Sequence, residues 1–336
     1  MARSTARKTK SSAKQLARRN STALRGRNIQ ARRDALDRAK QGKPKRDEQK
    51  ADRATGTSAK QHLKKPGLEK DMVPRPHYQA PSYKGSEKLK DKVALITGAD
   101  SGIGRAVAIL YAREGADIAI VYLNEDEDAF ETAQEVRKEG RRAILIPGDV
   151  TDFDFCQNAV EQTLQEFGKL DILVNNAAFQ EHVDSFDELS IEQWDLTFKT
   201  NIYGYFYMAK AALPHMKEGG AVINTGSVNA FRGNKSLIDY SATKGAIHAF
   251  TKSLAMSLVE KKIRVNCVAP GPVWTPFIPS DSPEVSLDEF GKSVPMERAA
   301  QPEEVAPSFV FFAAESDSSY ITGEVLGVLG GEPMGA

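Results

Sequence analysis

The chain has 336 residues, 40% of them apolar, and a formal net charge of +1, enough for one large domain with a buried core and an appendage. Its apolar runs fall well short of the ~18 residues a membrane span needs, and two cysteines exclude a disulfide framework. The near-neutral total hides an asymmetry: residues 1–90 hold 26 Lys/Arg against 8 Asp/Glu, and the remainder holds 20 against 37.

No acidic residue precedes Asp34 and no aromatic precedes Tyr78. A segment of this kind buries too little apolar surface to offset the entropy of ordering it, so residues 1–60 are expected to form a basic tail, disordered or transiently helical. Three roles remain open for it: a solvated tail, an organellar transit peptide, or a nucleic-acid or other polyanion-binding segment. The basic start has no apolar stretch behind it to make a secretory signal, so a cytoplasmic protein is expected, or one of an organelle matrix if residues 1 to about 33 are a transit peptide. The prolines of residues 61–90 predict an extended arm across the core or a neighbouring subunit.

From residue 91 the pattern alternates. Val93–Thr97 reads as a strand, Gly98-Ala99-Asp100-Ser101-Gly102-Ile103-Gly104 as a glycine loop, and the following residues through Glu114 as a helix. Strands are predicted near 117–122, 143–147, 171–174, 221–225, 264–268 and 325–328. Helices are predicted near 129–139, 153–167, 194–216 and 240–260. Strand–helix alternation gives an α/β domain over 91–336, a Rossmann-type doubly wound parallel sheet with helices on both faces. Ligands of such sheets bind beyond the carboxyl ends of the strands.

Tyr240 and Lys244 lie one helical turn apart, thirteen residues after Ser227. Residues four apart share a helix face, where an ammonium favours the phenolate of a neighbouring tyrosine and Ser227 could polarise a carbonyl or hydroxyl. The spacing alone arises by chance roughly half the time in a chain with nine tyrosines and many lysines. The glycine loop is the independent second signal: its glycines permit a tight turn and close approach to a pyrophosphate, at a helix N-terminus that favours anions.

In chain order, Thr97-Gly98-x-x-x-Gly102-x-Gly104, Asp149 at a strand end, Asn175-Asn176-Ala177-Ala178, Asn201, Ser227, Tyr240 with Lys244, and Pro270-Gly271-Pro272-Val273-Trp274-Thr275 resemble the short-chain dehydrogenase/reductase family. Ala178 departs from the glycine usual in the family. Within the family, Pro66-Gly67, Met72, Pro74, Pro76 and Tyr83-Lys84-Gly85-Ser86-x-Lys88-Leu89 resemble the arm of general stress oxidoreductases, aldehyde reductases and glucose/ribitol dehydrogenase homologues.

The resemblance implies an oxidoreductase moving hydride between NAD or NADP and a small aldehyde, ketone or sugar alcohol. Tyr240 would be the acid or base, Lys244 its cation and a ribose donor, Ser227 a substrate donor, and Asn201 the holder of a relay water. Cofactor contacts would come from Thr97, Gly98, Asp100, Ser101, Gly102, Ile103 and Gly104, from Asp149 on the adenine amino group with Val150 beside it, from Asn176 and Ala177, and from Pro270, Gly271, Val273 and Thr275 at the nicotinamide. Tyr122 stands where a ribose-binding acid would end the second strand, which leaves NAD and NADP both open. Phe179, Gln180, Glu181, His182, Asn229, Phe231, Trp274 and residues 276–295 are candidates to line the substrate pocket. No pair of the five histidines has metal-ligand spacing, so no catalytic metal is expected. The family implies a homotetramer, built through helices 194–216 and 240–260 and the segment Thr322–Gly331. The alternative reading is a nucleotide-binding core whose basic tail supplies a polyanion-binding or scaffolding function.

Overall fold

The computed structural model describes residues 2–41, 60–281 and 285–333. Seven parallel strands form one sheet: β1 (Val93–Thr97), β2 (Asp117–Tyr122), β3 (Ala143–Pro147), β4 (Ile172–Asn175), β5 (Ala221–Thr225), β6 (Arg264–Pro270) and β7 (Val325–Val328), in the order β3-β2-β1-β4-β5-β6-β7. The order reverses at β1, so β1 and β4 flank the crevice where a ligand enters. Runs such as Val-Ala-Leu-Ile-Thr and Asp-Ile-Ala-Ile-Val-Tyr are buried along their whole length, as strands covered on both faces must be.

Helix α1 is Ala2–Gln41, and the helices that follow are α2 (Gly102–Arg113), α3 (Asp126–Lys138), α4 (Phe153–Phe167), α5 (Ile191–Phe198), α6 (Gly204–Ala212), α7 (Asn229–Arg232), α8 (Ile238–Leu258) and α9 (Pro302–Ala313). Asp152 and Ser190 cap α4 and α5 with side-chain oxygens. The single helix expected near 194–216 is broken by a π-turn at Lys199–Tyr203, which carries the buried Asn201. Two large apolar clusters form on the two faces of the sheet, one under α2 and α9, the other under α4, α6 and α8.

Residues 61–90 run across their own domain. Met72 is buried against Trp274, whose indole donates to the Pro74 carbonyl at 3.0 Å, so Trp274 belongs to the core rather than to a pocket wall. Glu114 at the end of α2 receives the Tyr83 hydroxyl (2.5 Å) and the Ser86 and Lys88 amides, stitching down the end of the arm.

For the basic tail, expected to be disordered or transiently helical, the structure gives a helix over its first part. Residues 2–41 form α1, and its basic side chains face the acidic domain: Arg18 meets Asp152, Arg25 meets Asp195, Arg32 meets Glu192, and Arg33 and Lys40 share Asp184 and Glu188. Composition hid this because the helix gains its order from carboxylates remote in sequence, with Ala23 and Ile29 as the well-buried apolar anchors among the described residues. These cations serve the chain's own acids. The rest of the expected tail, residues 42–59, lies outside the described residues.

Candidate active site

Because every strand runs the same way, the residues following Thr97, Tyr122, Pro147, Asn175, Thr225 and Pro270 meet at one edge. The glycine loop forms its floor. Gly102 has φ +52°, a left-handed conformation, and a Cβ there would lie 2.9 Å from Thr275; at Gly104 it would lie 2.0 Å from the Gly98 carbonyl. Gly98, Asp100, Ser101, Gly102 and Ile103 line a cavity of about 250 Å³, whereas Gly104 serves as the packing contact that seats α2 on the turn. The loop is also clamped from behind. Glu69 of the arm, fully buried, accepts the Gly102 amide at 2.6 Å and pairs with Arg105 at 2.7 Å, while Arg105 and Thr132 both donate to the Asp100 carbonyl.

Asp149 accepts from Thr151 N at 2.9 Å with one oxygen and from the Thr22 hydroxyl of α1 at 2.6 Å with the other. Thr22, Ala23 and Gly26 therefore line the same cavity as Tyr122, Asp149, Val150, Asn176 and Ala177. Arg19 donates to the Leu123 carbonyl and to Asp126, and lies 5.8 Å from the centre of the Tyr122 ring. Asn176 donates to the Gly98 carbonyl. Thr97 plays a different part from the one expected: its buried hydroxyl accepts the amides of Asn176 and Ala177, tying β4 to β1 behind the cavity. Pro270, Gly271 and Val273 likewise sit off the cavity wall, with Gly271 bonded to Val328 and Val273 bridged to Ala300; Thr275 does line it.

Tyr240, Lys244 and Ser227 gather at the inner end. Lys244 Nζ donates to the Thr225 carbonyl at 2.7 Å and lies 5.3 Å from the Tyr240 ring centre. Ser227 acts on the Tyr240 phenol in the direction that favours its ionised form. The expected depression of the tyrosine pKa is not what this arrangement gives: burial pushes the Tyr240 phenol well up, against the effect of Ser227, and burial brings Lys244 down to about 8. Desolvation dominates for each because both groups are buried. Asn201 spends its side chain on structure, accepting from Phe179 N at 2.7 Å and donating to Phe179 O and Thr243.

On the substrate side a buried polar cluster joins three segments. Lys65 of the arm lines the cavity, donates to the Gln180 carbonyl at 2.7 Å, pairs with Glu181 at 3.3 Å and lies over the Phe179 ring. Asp281 accepts from Gln180 and from the His182 amide, and pairs with the His182 imidazole. Burial opposes protonation of His182, yet Asp281 holds its pKa up. His182 is thus a clasp residue of this cluster. Asn229 and Phe231 sit apart from the cavity, Asn229 bonding Ser227 and Phe231 packing on His248. Lys65 is a liner that no motif marked, whereas Phe277 and Ser280 lie within the segment 276–295 expected to line the pocket.

The cleft fits a nicotinamide dinucleotide by its own features: a glycine cradle that a Cβ would fill, a helix N-terminus at its floor, and a buried oxygen of the cavity-lining Glu125 with no hydrogen-bond partner among the described residues. The comparisons agree. Residues 98–332 match the family model described as enoyl-(acyl carrier protein) reductase. The chain is 48% identical to the NADPH-dependent aldehyde reductase 1, chloroplastic, of Arabidopsis thaliana, with 82% of this chain and 98% of that protein covered. It is also 48% identical to the glucose and ribitol dehydrogenase of Daucus carota, with 79% and 93% covered. Among solved structures, a short chain dehydrogenase from Burkholderia cenocepacia J2315 in complex with NADP superposes with a TM-score of 0.67 at 33% identity, covering 73% of this chain and 98% of that one. The chain belongs to the short-chain dehydrogenase/reductase family and is an oxidoreductase with a nicotinamide dinucleotide cofactor.

Two expectations follow from the site. Since Thr22 occupies Asp149 and the ion pairs of α1 are largely solvent-exposed, deleting residues 1–41 should tighten dinucleotide binding several-fold at low ionic strength, with the gap closing as salt screens those pairs. Titration calorimetry at two salt concentrations reads this, and equal affinities at low salt would refute it. Burial also holds Glu69 and Glu181 at about 7, Glu125 at about 8 and Asp100 at about 6. The folded chain then keeps protons that the unfolded chain has released, so stability present below the ordinary carboxyl range is lost as pH rises through these values. His182, raised as well, acts in the same direction. The melting temperature should fall between about pH 5.5 and 8.5, and a rise over that window would contradict the buried-carboxyl assignment.

Proposed function

We propose that this oxidoreductase acts on the CH–OH group, interconverting a small carbonyl compound (an aldehyde, ketone or sugar) and its alcohol, with Tyr240 giving or taking the proton. The observation that carries the reading is Tyr240 with Lys244, whose Nζ lies 5.3 Å from the Tyr240 ring centre, both lining the cleft that the glycine loop opens. The nicotinamide would supply or accept the hydride.

Each residue has a part that follows from its setting. A phenol held neutral by burial is a proton donor, so Tyr240 acts as general acid in reduction and as base in the reverse direction. Ser227 is the second donor to the same substrate oxygen, which fixes that oxygen between two hydroxyls. Lys244 would reach the ribose hydroxyls from its perch on the Thr225 carbonyl. Asn201 positions the Phe179 loop against α8, and through it one wall of the pocket. Lys65 and Phe277 give that pocket mixed polar and aromatic walls, in keeping with small oxygenated substrates, and the aldehyde reductase and the glucose and ribitol dehydrogenase among its relatives point the same way.

We read the assembly as a homotetramer. Trp194, Tyr203 and Phe206 on α5 to α6, and Met256 and Val259 on and just past α8, are exposed apolar groups on the two helices expected to pair. Light scattering should give four times the chain mass, and a Phe206→Glu, Met256→Glu double variant should lower it; a wild-type monomer would refute the assignment.

Tyr240→Phe should cut kcat by ~10²–10⁴-fold while dinucleotide affinity persists, because only the proton transfer is removed. Lys244→Ala should lose both turnover and dinucleotide affinity. Steady-state rates on a panel of aldehydes, sugars and polyols, with separate binding titrations, check both, and near-normal turnover of Tyr240→Phe would sink the mechanism.

A further inference from the structure

The buried cluster that joins the arm to the substrate side presents one charge to the cavity. Lys65, 6% exposed, lines the wall, whereas Glu181, His182 and Asp281 lie off it. The backbone of Lys65 is held firmly: its amide donates to Gln30 Oε1 at 2.9 Å, and Gln30 donates to the Leu63 and Ser280 carbonyls at 2.9 and 2.8 Å, tying the arm to α1 and to the segment past Thr275. The side chain is placed as well. Lys65 Nζ donates to the Gln180 carbonyl at 2.7 Å, pairs with Glu181 at 3.3 Å and lies 5.2 Å from the centre of the Phe179 ring.

The bland account is a clasp that pins residues 180–181 to the arm. It explains the Gln180 and Glu181 contacts but not an ammonium on a cavity wall, since a neutral donor would hold a carbonyl there at a lower desolvation cost. An ammonium carries three N–H donors; the Gln180 carbonyl takes one and Glu181 balances the charge, so donor capacity remains for a group in the cavity. The reacting end is close by. Phe277 on the same wall lies 6.3 Å, ring to ring, from Tyr240, and the Asp281 charge bears on the Tyr240 phenol.

We propose that Lys65 is a specificity-determining residue, donating a hydrogen bond to a hydroxyl that the substrate carries beyond its carbonyl carbon, so that the pocket selects polyhydroxylated aldehydes and their polyols over plain alkyl ones. This rests on the carbonyl–alcohol function above and names its substrate class. A hydroxyl suits the ammonium better than an anionic group does, because its charge is already answered: Glu181 faces it, and Asp281 lies next in the cluster, paired with His182. A carboxylate or phosphate would meet those acids with no surplus positive charge to offset its own desolvation. An alkyl chain in the same place leaves a buried donor unmade, which is the costlier mismatch.

Three four-carbon aldehydes read the choice: erythrose, butanal and succinic semialdehyde. Their kcat/KM values are measured with NADH and NADPH for the full-length wild type, Lys65→Met, Glu181→Gln and the Lys65→Met, Glu181→Gln double variant, with melting temperatures alongside. The wild type should favour erythrose over butanal by at least about tenfold, the order expected of one hydrogen bond from a charged group. Lys65→Met should bring that ratio close to one. The double variant, which leaves neither charge buried alone, should do the same even where the single variant folds poorly. Glu181→Gln should keep the ratio and raise the rate on succinic semialdehyde, now met by an unbalanced cation. A purely structural clasp would lower all three aldehydes alike and leave the ratio where it was. That result overturns the proposal, as does a wild-type ratio near one or a wild-type preference for succinic semialdehyde. Turnover of none of the three with either dinucleotide would sink the carbonyl–alcohol reading itself, a result distinct from a misassigned Lys65.

Discussion

An all-parallel sheet cannot be built from hairpins, and that constraint organises everything else in this protein. Each strand must return through a crossover, so all seven point the same way and their carboxyl ends fall on one edge. Residues as far apart in sequence as Gly98, Asp149, Tyr240 and Thr275 are thereby delivered to one cleft. The precision comes from buried polar ties between strands: Asn175 donates to Asn224, Asn224 to Thr251 of α8, and Thr97 accepts from both residues that follow β4. Thr97, Asn175, Asn224 and Thr251 lie outside the cavity lining. They hold the ends of β1, β4 and β5 in fixed register, on which the loops then depend.

Electrostatics supplies a second layer. The domain is acidic and buries carboxylates close to its cofactor cleft, an arrangement that costs desolvation and is weak evidence for stability. Its compensation is local: fully buried Arg105 meets Glu69, Asp128 and Glu131 and donates to the Asp100 carbonyl. What this network secures is the shape of the glycine loop, clasped at the Asp100 carbonyl from α2 and at the Gly102 amide from the arm. The arm is thereby part of the cofactor site although it precedes the nucleotide fold. The basic helix α1 answers the same acidic surface from outside.

Strands were the most legible part of the sequence, because buried runs such as Val93–Thr97 and Asp117–Tyr122 stand between turn residues and need no tertiary information. Helix α9 was missed although its signals were present: Pro302 opens it, and Gln301 with Glu304 form a capping box. The π-turn at Lys199–Tyr203 had no comparable mark, since an extra residue in a helical turn leaves no periodicity to read over five residues. Motifs pointed to many of the residues that line the cleft, while Thr97, Gly271 and Val273 are engaged with the backbone of neighbouring segments. Lys65, Glu69 and the seat of α1 were illegible for one reason: each is defined by a partner more than 30 positions away.

The tyrosine and lysine show how far spacing alone reaches. Four residues along a helix guarantees that the two side chains are neighbours, and they are. Spacing says nothing about the medium between them. Burial penalises the charged form of each, so the phenol rises, the ammonium falls, and a pair that composition alone would draw as phenolate and ammonium is held closer to neutral. A phenol held neutral by burial suits charge developing on a carbonyl oxygen, which it meets with a proton already in hand. The reverse reaction needs that proton removed, and Lys244, brought down to about 8, is the buried neighbour whose charge would stabilise the phenolate then formed. The same desolvation therefore sets the resting state for reduction and leaves the cation in place for oxidation.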